Sequence, residues 1–180
     1  MQEFYQPDLP DRNCLRIGYA GLVIFTKGVH ILLEALHRLQ RQGINVECSI
    51  AGDAIHGDYK KDLEQFIGQA DLRDSVTFVG LLNRQQLVDF HRRHNVLVFP
   101  SIADEAFGIT QVEAMAAGLT VITSGVGGAA EVVENGISGL TVPPNDSATL
   151  AEALYYLVKN PTHWEAIAQA GQRRALVKFD

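Results

Sequence analysis

Asn95-Val-Leu-Val-Phe-Pro100 runs directly into Ser101-Ile-Ala-Asp-Glu-Ala-Phe-Gly-Ile109, and the residues that follow carry Glu113. The first stretch is apolar almost throughout, as expected of a strand covered on both faces within a parallel sheet. The second passes through Gly108 into a helical pattern, so Glu105 and Glu113 share one strand-to-helix corner. A helix start leaves backbone N–H groups unpaired and carries partial positive charge. The amides of Phe107, Gly108 and Ile109 are therefore expected to hold an anion while Glu105 and Glu113 accept hydroxyl groups. A ligand bearing both phosphate and sugar fits such a corner.

Working outward from it, strands and helices alternate in both directions. Upstream, Leu15-Arg-Ile-Gly-Tyr-Ala-Gly21 reads as a first strand, and Val29, Leu32, Leu33, Leu36 and Leu39 then recur at helical spacing up to a stop at Gly43. Residues 45–51 and 75–80 read as strands, a helix between them carries Leu63, Phe66, Ile67 and Ala70, and residues 83–94 read as a helix. Downstream, residues 119–123 repeat the apolar strand character and residues 139–142 form a short sixth strand. Ser147 is the expected N-cap of a helix bearing Leu150, Leu154, Leu157 and Val158, and a last helix follows Pro161 with Trp164, Ile167 and Ala168 inward.

This alternation predicts a doubly wound α/β domain: a six-stranded parallel sheet with helices on both faces. In the common order 3-2-1-4-5-6, strands one and four are neighbours, and ligands bind beyond the carboxyl ends of the strands where the order reverses. The loops there are residues 21–28 and 101–108, which hold Lys27 and Glu105. Topology, not local spacing, brings these two charges together.

The composition limits the class. With 180 residues, 47% of them hydrophobic, the chain fits one domain with a sizeable core. A formal net charge of −6 argues against a broad nucleic-acid footprint, which needs clustered Lys and Arg. Cys14 and Cys48 lack C-x-x-C spacing and read as reduced core residues. The N-terminus, Met1-Gln-Glu-Phe-Tyr-Gln-Pro-Asp, has no basic-then-apolar signal pattern, and no apolar run approaches about 20 residues. A cytoplasmic location without direct membrane insertion is the expectation. His30, His37, His56, His91, His94 and His163 offer no three-ligand metal set and read as surface or packing residues.

At Glu105-Ala-Phe-Gly-Ile-Thr-Gln-Val-Glu113-Ala-Met-Ala-Ala-Gly118 the chain resembles the E-x7-E signature of retaining glycosyltransferases of family 4, also called group 1. The resemblance continues through Val126-Gly-Gly-Ala-Ala-Glu131 and Asn135-Gly-Ile-Ser-Gly-Leu-Thr-Val-Pro-Pro-Asn-Asp146, and it starts upstream at Gly21 and Lys27-Gly28. Enzymes of that family have two Rossmann-like domains facing each other across a cleft, the GT-B architecture. The resemblance implies that residues 15–180 are the C-terminal, nucleotide-sugar-binding half, residues 1–14 a remnant of the interdomain linker, and the N-terminal acceptor domain a missing partner. It leaves open placement at a membrane surface in the full-length protein.

The resemblance also implies roles. Glu113 would accept hydrogen bonds from ribose hydroxyls, Glu105 would address a hydroxyl of the transferred sugar, and Lys27 would lie against the diphosphate together with the amides of Phe107, Gly108 and Ile109. Gly21 and the turn Val79-Gly-Leu-Leu82 would cover the nucleotide, Gly80 through its main chain and Leu82 through its side chain, with Gly127, Gly128 and Glu131 facing the same cleft. No cofactor is implied beyond the nucleoside diphosphate sugar itself, and no metal: an Asp-x-Asp pair suited to a metal-bound diphosphate is absent. The chain departs from the pattern at Leu22, where the family usually carries Arg five residues before the Lys. Asn13, Arg12 and Arg16 sit at the wrong end of the first strand to replace it. Two other readings compete: a nucleotide-sugar epimerase on the same architecture, and a non-catalytic nucleotide-binding module.

Overall fold

The structure, a computed structural model, describes residues 1–12, 14–55 and 57–179. Asn13 and His56, both named above, lie outside the described residues. The elements follow in the order β1 (Leu15–Ala20), α1 (Val29–Arg41), β2 (Val46–Ala51), α2 (Gly57–Gln69), β3 (Val76–Gly80), α3 (Arg84–Arg93), β4 (Val96–Phe99), α4 (Ile109–Ala116), β5 (Thr120–Thr123), β6 (Leu140–Thr141), α5 (Ser147–Lys159) and α6 (Pro161–Lys178). Short 3-10 turns occupy Phe25–Lys27 and Gly128–Glu131.

The sheet order is β3-β2-β1-β4-β5-β6 and every pairing is parallel, as the alternation predicts. β1 pairs β4 through Ile17 opposite Val96 and Gly18 opposite Leu97, which sets the point where the order reverses. β4 and β5 are buried at every position because helices cover both faces. Val96, Val98 and Ile122 point into the layer of α1, α2 and α5, whereas Leu97 and Val121 point into the layer of α4. α6 joins both layers around the sheet, with Trp164 and Ile167 in the first and Ala175 in the second.

Several local features explain the closeness of the elements. A Cβ on Gly18 would meet the Phe90 ring at 2.8 Å, so this glycine lets α3 settle on β1. Asn83 and Gln86 form a reciprocal capping box at the start of α3. The N-cap of α5 is Asp146 rather than Ser147: its carboxylate accepts from the Thr149 N–H at 2.9 Å, and an ionised oxygen aimed at a helix start outcompetes a hydroxyl one residue further in.

The cysteine expectation holds for one residue and fails for the other. Cys48 is buried, and burial pushes its thiol up to about 12, whereas Cys14 is exposed because it precedes β1. Both are free thiols. Among the described residues two histidines are buried, His91 and His94, and burial lowers both; His91 falls to about 3 and packs as a neutral ring against Phe4 and Phe90. Among the described residues no helix is long and apolar enough to cross a membrane.

Candidate functional site

The loops after β1 and β4 meet at the reversal point. The Ile102 N–H donates to the Thr26 carbonyl at 2.9 Å, and Gly28 approaches Pro100 so closely that a Cβ there would lie 2.0 Å from the Pro100 carbonyl oxygen. Gly28 also takes a left-handed φ of 70°. The 3-10 turn ending at Lys27 is thereby fixed against the start of the Ser101 loop, and the Lys27 ammonium donates to Glu105 Oε1. Ser101 Oγ donates to the same oxygen at 2.6 Å.

The Glu105 backbone is held from the other side. It forms a parallel bridge with Gly127, and the Gly128 N–H donates to the Glu105 carbonyl at 2.7 Å. A Cβ on Gly128 would lie 2.0 Å from the Ala106 carbonyl oxygen, so the Gly127-Gly128 pair supports the Glu105 loop from behind. Glu131 is exposed, and its carbonyl accepts from Arg174.

Gly108 is the N-cap of α4 with φ 78° and ψ 56°. The N–H groups of Phe107, Gly108 and Ile109 find no acceptor among the described residues, as the first turn of a helix requires. A side chain on Gly108 would strike the Gln111 amide, which is wholly buried and itself unpartnered beneath this turn. Phe107 is half-exposed and meets the Phe179 ring edge-on at 5.6 Å.

Glu113 lies within α4, past its first turn, with only 3% of its side chain exposed. Its partner is Arg84 at the start of α3, whose guanidinium donates to Glu113 Oε1 at 2.6 Å. Burial raises the Glu113 carboxyl above the ordinary carboxylate range, and Arg84 opposes that rise. Arg84 also bonds Glu3 and stands 4.6 Å from the centre of the wholly buried Phe4 ring.

A cleft of about 270 Å3 opens at the carboxyl ends of β1, β2 and β3, lined by Gly21, Leu22, Gly52, Leu82 and Leu87, with Thr110 of α4 at its edge. Gly21 and Leu82 thus share one cavity. Gly80 contributes differently: its carbonyl accepts from the Gly52 N–H at 2.8 Å and its φ of 75° turns the chain towards Leu81 and Leu82. Leu22 is 42% exposed and lines the cleft where the family pattern would place a guanidinium. The Lys27–Glu105 pair and Glu113 do not line this cleft. Lys27 faces Glu105, Glu113 faces Arg84, and Thr110 lies between the two acids along the chain.

Arg84 and Ser101 escape a reading of the sequence alone. At Arg84 a cation in the first turn of a helix opposes the helix dipole, yet nothing in the spacing names its carboxylate partners. Ser101 carries no such conflict. Among the described residues no group of three or more His, Cys, Asp or Glu could hold a metal ion.

Fold and corner together define a Rossmann-like α/β domain of the kind that GT-B glycosyltransferases contain. The chain belongs to the glycosyl transferases group 1 family, whose model matches residues 6–174. It is 35% identical over 162 residues to a glycogen synthase of Mycobacterium tuberculosis, a match covering 90% of this chain and 38% of that protein. Among solved structures it resembles Anabaena Alr3699/HepE, crystallised in complexes with UDP and with UDP-glucose: TM-score 0.86, 32% identity, 93% of this chain and 45% of that one. It also resembles the C-terminal domain of a group 1 glycosyl transferase (LpcC) of Francisella tularensis, with TM-score 0.89, 26% identity, 99% of this chain and 97% of that one. The chain therefore spans less than half the length of the glycogen synthase and of HepE.

Proposed function

We propose that this chain is the C-terminal, donor-binding half of a retaining glycosyltransferase of family 4, moving a sugar from a nucleoside diphosphate sugar to a hydroxyl acceptor. The observation that carries the reading is the meeting of Lys27 with Glu105 beside the unpaired amides of residues 107–109 at the point of strand-order reversal. A cation and three free N–H groups suit a diphosphate; two largely buried carboxylates suit hydroxyl groups. The binding of UDP and UDP-glucose by HepE supports uridine as the nucleoside.

In this reading the base and ribose enter the cleft at Gly21 and Leu82, Glu113 takes the ribose hydroxyls, and the diphosphate lies over the start of α4. Glu105 addresses the sugar. The acceptor oxygen forms its bond to the anomeric carbon on the face from which the diphosphate departs, and the acceptor proton passes to a departing phosphate oxygen. Lys27 and the amides stabilise the charge that grows there. No metal enters this scheme. Glycoside hydrolysis by paired carboxylates is disfavoured, because Glu105 is engaged by Lys27 and Glu113 by Arg84.

Residues 1–14 belong in this scheme to the connection to an N-terminal acceptor domain, and the isolated half binds donor without catalysing transfer. One observation favours the non-catalytic reading, namely Leu22 in place of a guanidinium in the cleft wall. Titration calorimetry with UDP, GDP, ADP and UDP-glucose on wild type, Lys27→Ala and Glu113→Ala tests the assignment. UDP binding that weakens in both variants supports it, and equal affinity in all three proteins overturns it.

A further inference from the structure

The Arg84 contact is not a surface ion pair of the ordinary kind. One end of it is a carboxylate almost removed from water, where an unpaired charge is costly, and the other end is anchored in two ways. Glu3 Oε1 accepts from the guanidinium, and the guanidinium carbon stands over the Phe4 ring. Phe4 in turn is wholly buried against His91 of α3 and packs with the α4 layer. Arg84 also begins α3 at a place where the dipole disfavours a cation, so the position carries a local cost.

The guanidinium engages only one of the two Glu113 oxygens. Arg84 donates to Oε1, which leaves Oε2 outside the guanidinium's grip. An ionised carboxylate has about four lone-pair sites, so a diol can still be taken as a pair of donors while the guanidinium fixes the rotamer.

We propose that Arg84 is a positioning residue for donor recognition: held by Glu3 and Phe4, it keeps the Glu113 carboxylate aimed at the ribose diol of the nucleotide. The inference rests on the donor-binding reading given above and assigns to the N-terminal segment a part in nucleotide recognition. The charged side chains acting on Glu113 are Arg84 from α3 and, from the N-terminal segment, Glu3. Arg84 acts by direct contact as well as by charge. Burial alone pulls the carboxyl towards its neutral form, so losing Arg84 weakens diol recognition most at low pH.

The test compares UDP with 2′,3′-dideoxy-UDP by titration calorimetry on the whole chain, for wild type, Arg84→Ala, Arg84→Lys, Glu3→Gln and Glu113→Ala. Wild type is expected to prefer UDP by about tenfold, the worth of a charge-assisted hydrogen-bond pair, and Glu113→Ala to lose that preference. Arg84→Ala is expected to lose most of it, more so as the pH falls from neutrality, while Arg84→Lys restores part and Glu3→Gln weakens it slightly. A carbon NMR titration of the Glu113 carboxyl, without ligand, should move to higher pH in Arg84→Ala. A full preference for UDP in Arg84→Ala overturns the proposal, as does an unmoved titration. Failure of wild type to bind UDP overturns the donor-binding reading instead, and the NMR titration still decides whether Arg84 governs Glu113.

Discussion

Lys27 and Glu105 stand 78 residues apart in the chain and share a hydrogen bond, with Ser101 donating to the same carboxylate oxygen. Neither loop reaches the other by local folding. The pairing exists because β1 and β4 are neighbours in the sheet and because Gly28 lets the turn at Lys27 press against Pro100. A charge pair built across a reversal point, with most of its surface covered, has the arrangement expected where a charged ligand is received.

Lys27→Met separates binding from folding at this pair. Donor affinity should fall by about 10- to 100-fold, because the diphosphate loses its point charge. Stability should fall by only about 1 kcal/mol, since Ser101 still satisfies the carboxylate that Lys27 leaves behind. Lys27→Met combined with Glu105→Gln should regain most of the stability and none of the affinity, as read by thermal melts and calorimetry side by side.

Glu113→Gln should stabilise the domain at neutral pH while weakening nucleotide binding. Burial raises the Glu113 carboxyl in the folded state, so the folded protein holds that proton more tightly than the unfolded chain does. The associated stability is complete below the unfolded pKa and is lost as the pH rises through the folded one. A permanently neutral Gln avoids that loss, and Arg84, about half exposed, keeps Glu3 as a carboxylate partner. The melting temperature should rise by about 2–4 °C for each ~1 kcal/mol gained, and the advantage should shrink towards acid pH. A variant that melts lower than wild type at neutral pH would contradict this.

The sheet order, the switch-point loops and the Lys27–Glu105 meeting were legible in the sequence because each follows from periodicity and topology. The apolar runs at β4 and β5 and the Gly-punctuated loops between elements leave few alternatives. Arg84 was not legible: its partners, Glu3 and Glu113, approach it from the N-terminal segment and from α4, and no spacing rule links three such distant positions. The burial of Phe4 was equally hidden, since two adjacent aromatics near a terminus, Phe4 and Tyr5, have no period to show which one turns inward. Ser147 misled because a hydroxyl beside an Asp looks like an N-cap until the backbone fixes which side chain faces the N–H groups.

Gly28→Ala should cost about 3 kcal/mol or more, because it adds a Cβ 2.0 Å from a backbone oxygen at a left-handed φ of 70°. Gly43→Ala is the matched control. Its φ of 76° carries the same conformational penalty, but nothing lies within 4 Å of the added carbon. The cost there should stay at about 1–2 kcal/mol, that of the left-handed conformation alone. Denaturant melts of the two variants separate the conformational term from the contact term. Equal losses would show that the Gly28–Pro100 approach does not fix the Lys27 turn.

Leu22→Arg should improve nucleotide affinity. Leu22 lies in the cleft wall beside Gly21, is 42% exposed, and its carbonyl is already fixed by the Tyr19 hydroxyl at 2.7 Å, so a longer side chain can be accommodated without moving the backbone. A guanidinium there would present a forked, permanently charged donor to the diphosphate five residues before Lys27. UDP should bind about tenfold more tightly, with a steeper loss on adding salt than wild type shows. UMP, with one phosphate fewer, should gain less than UDP. If the Leu22→Arg variant shows unchanged UDP affinity and unchanged salt dependence, the diphosphate does not pass this wall, and the path from the cleft to the start of α4 has to be redrawn.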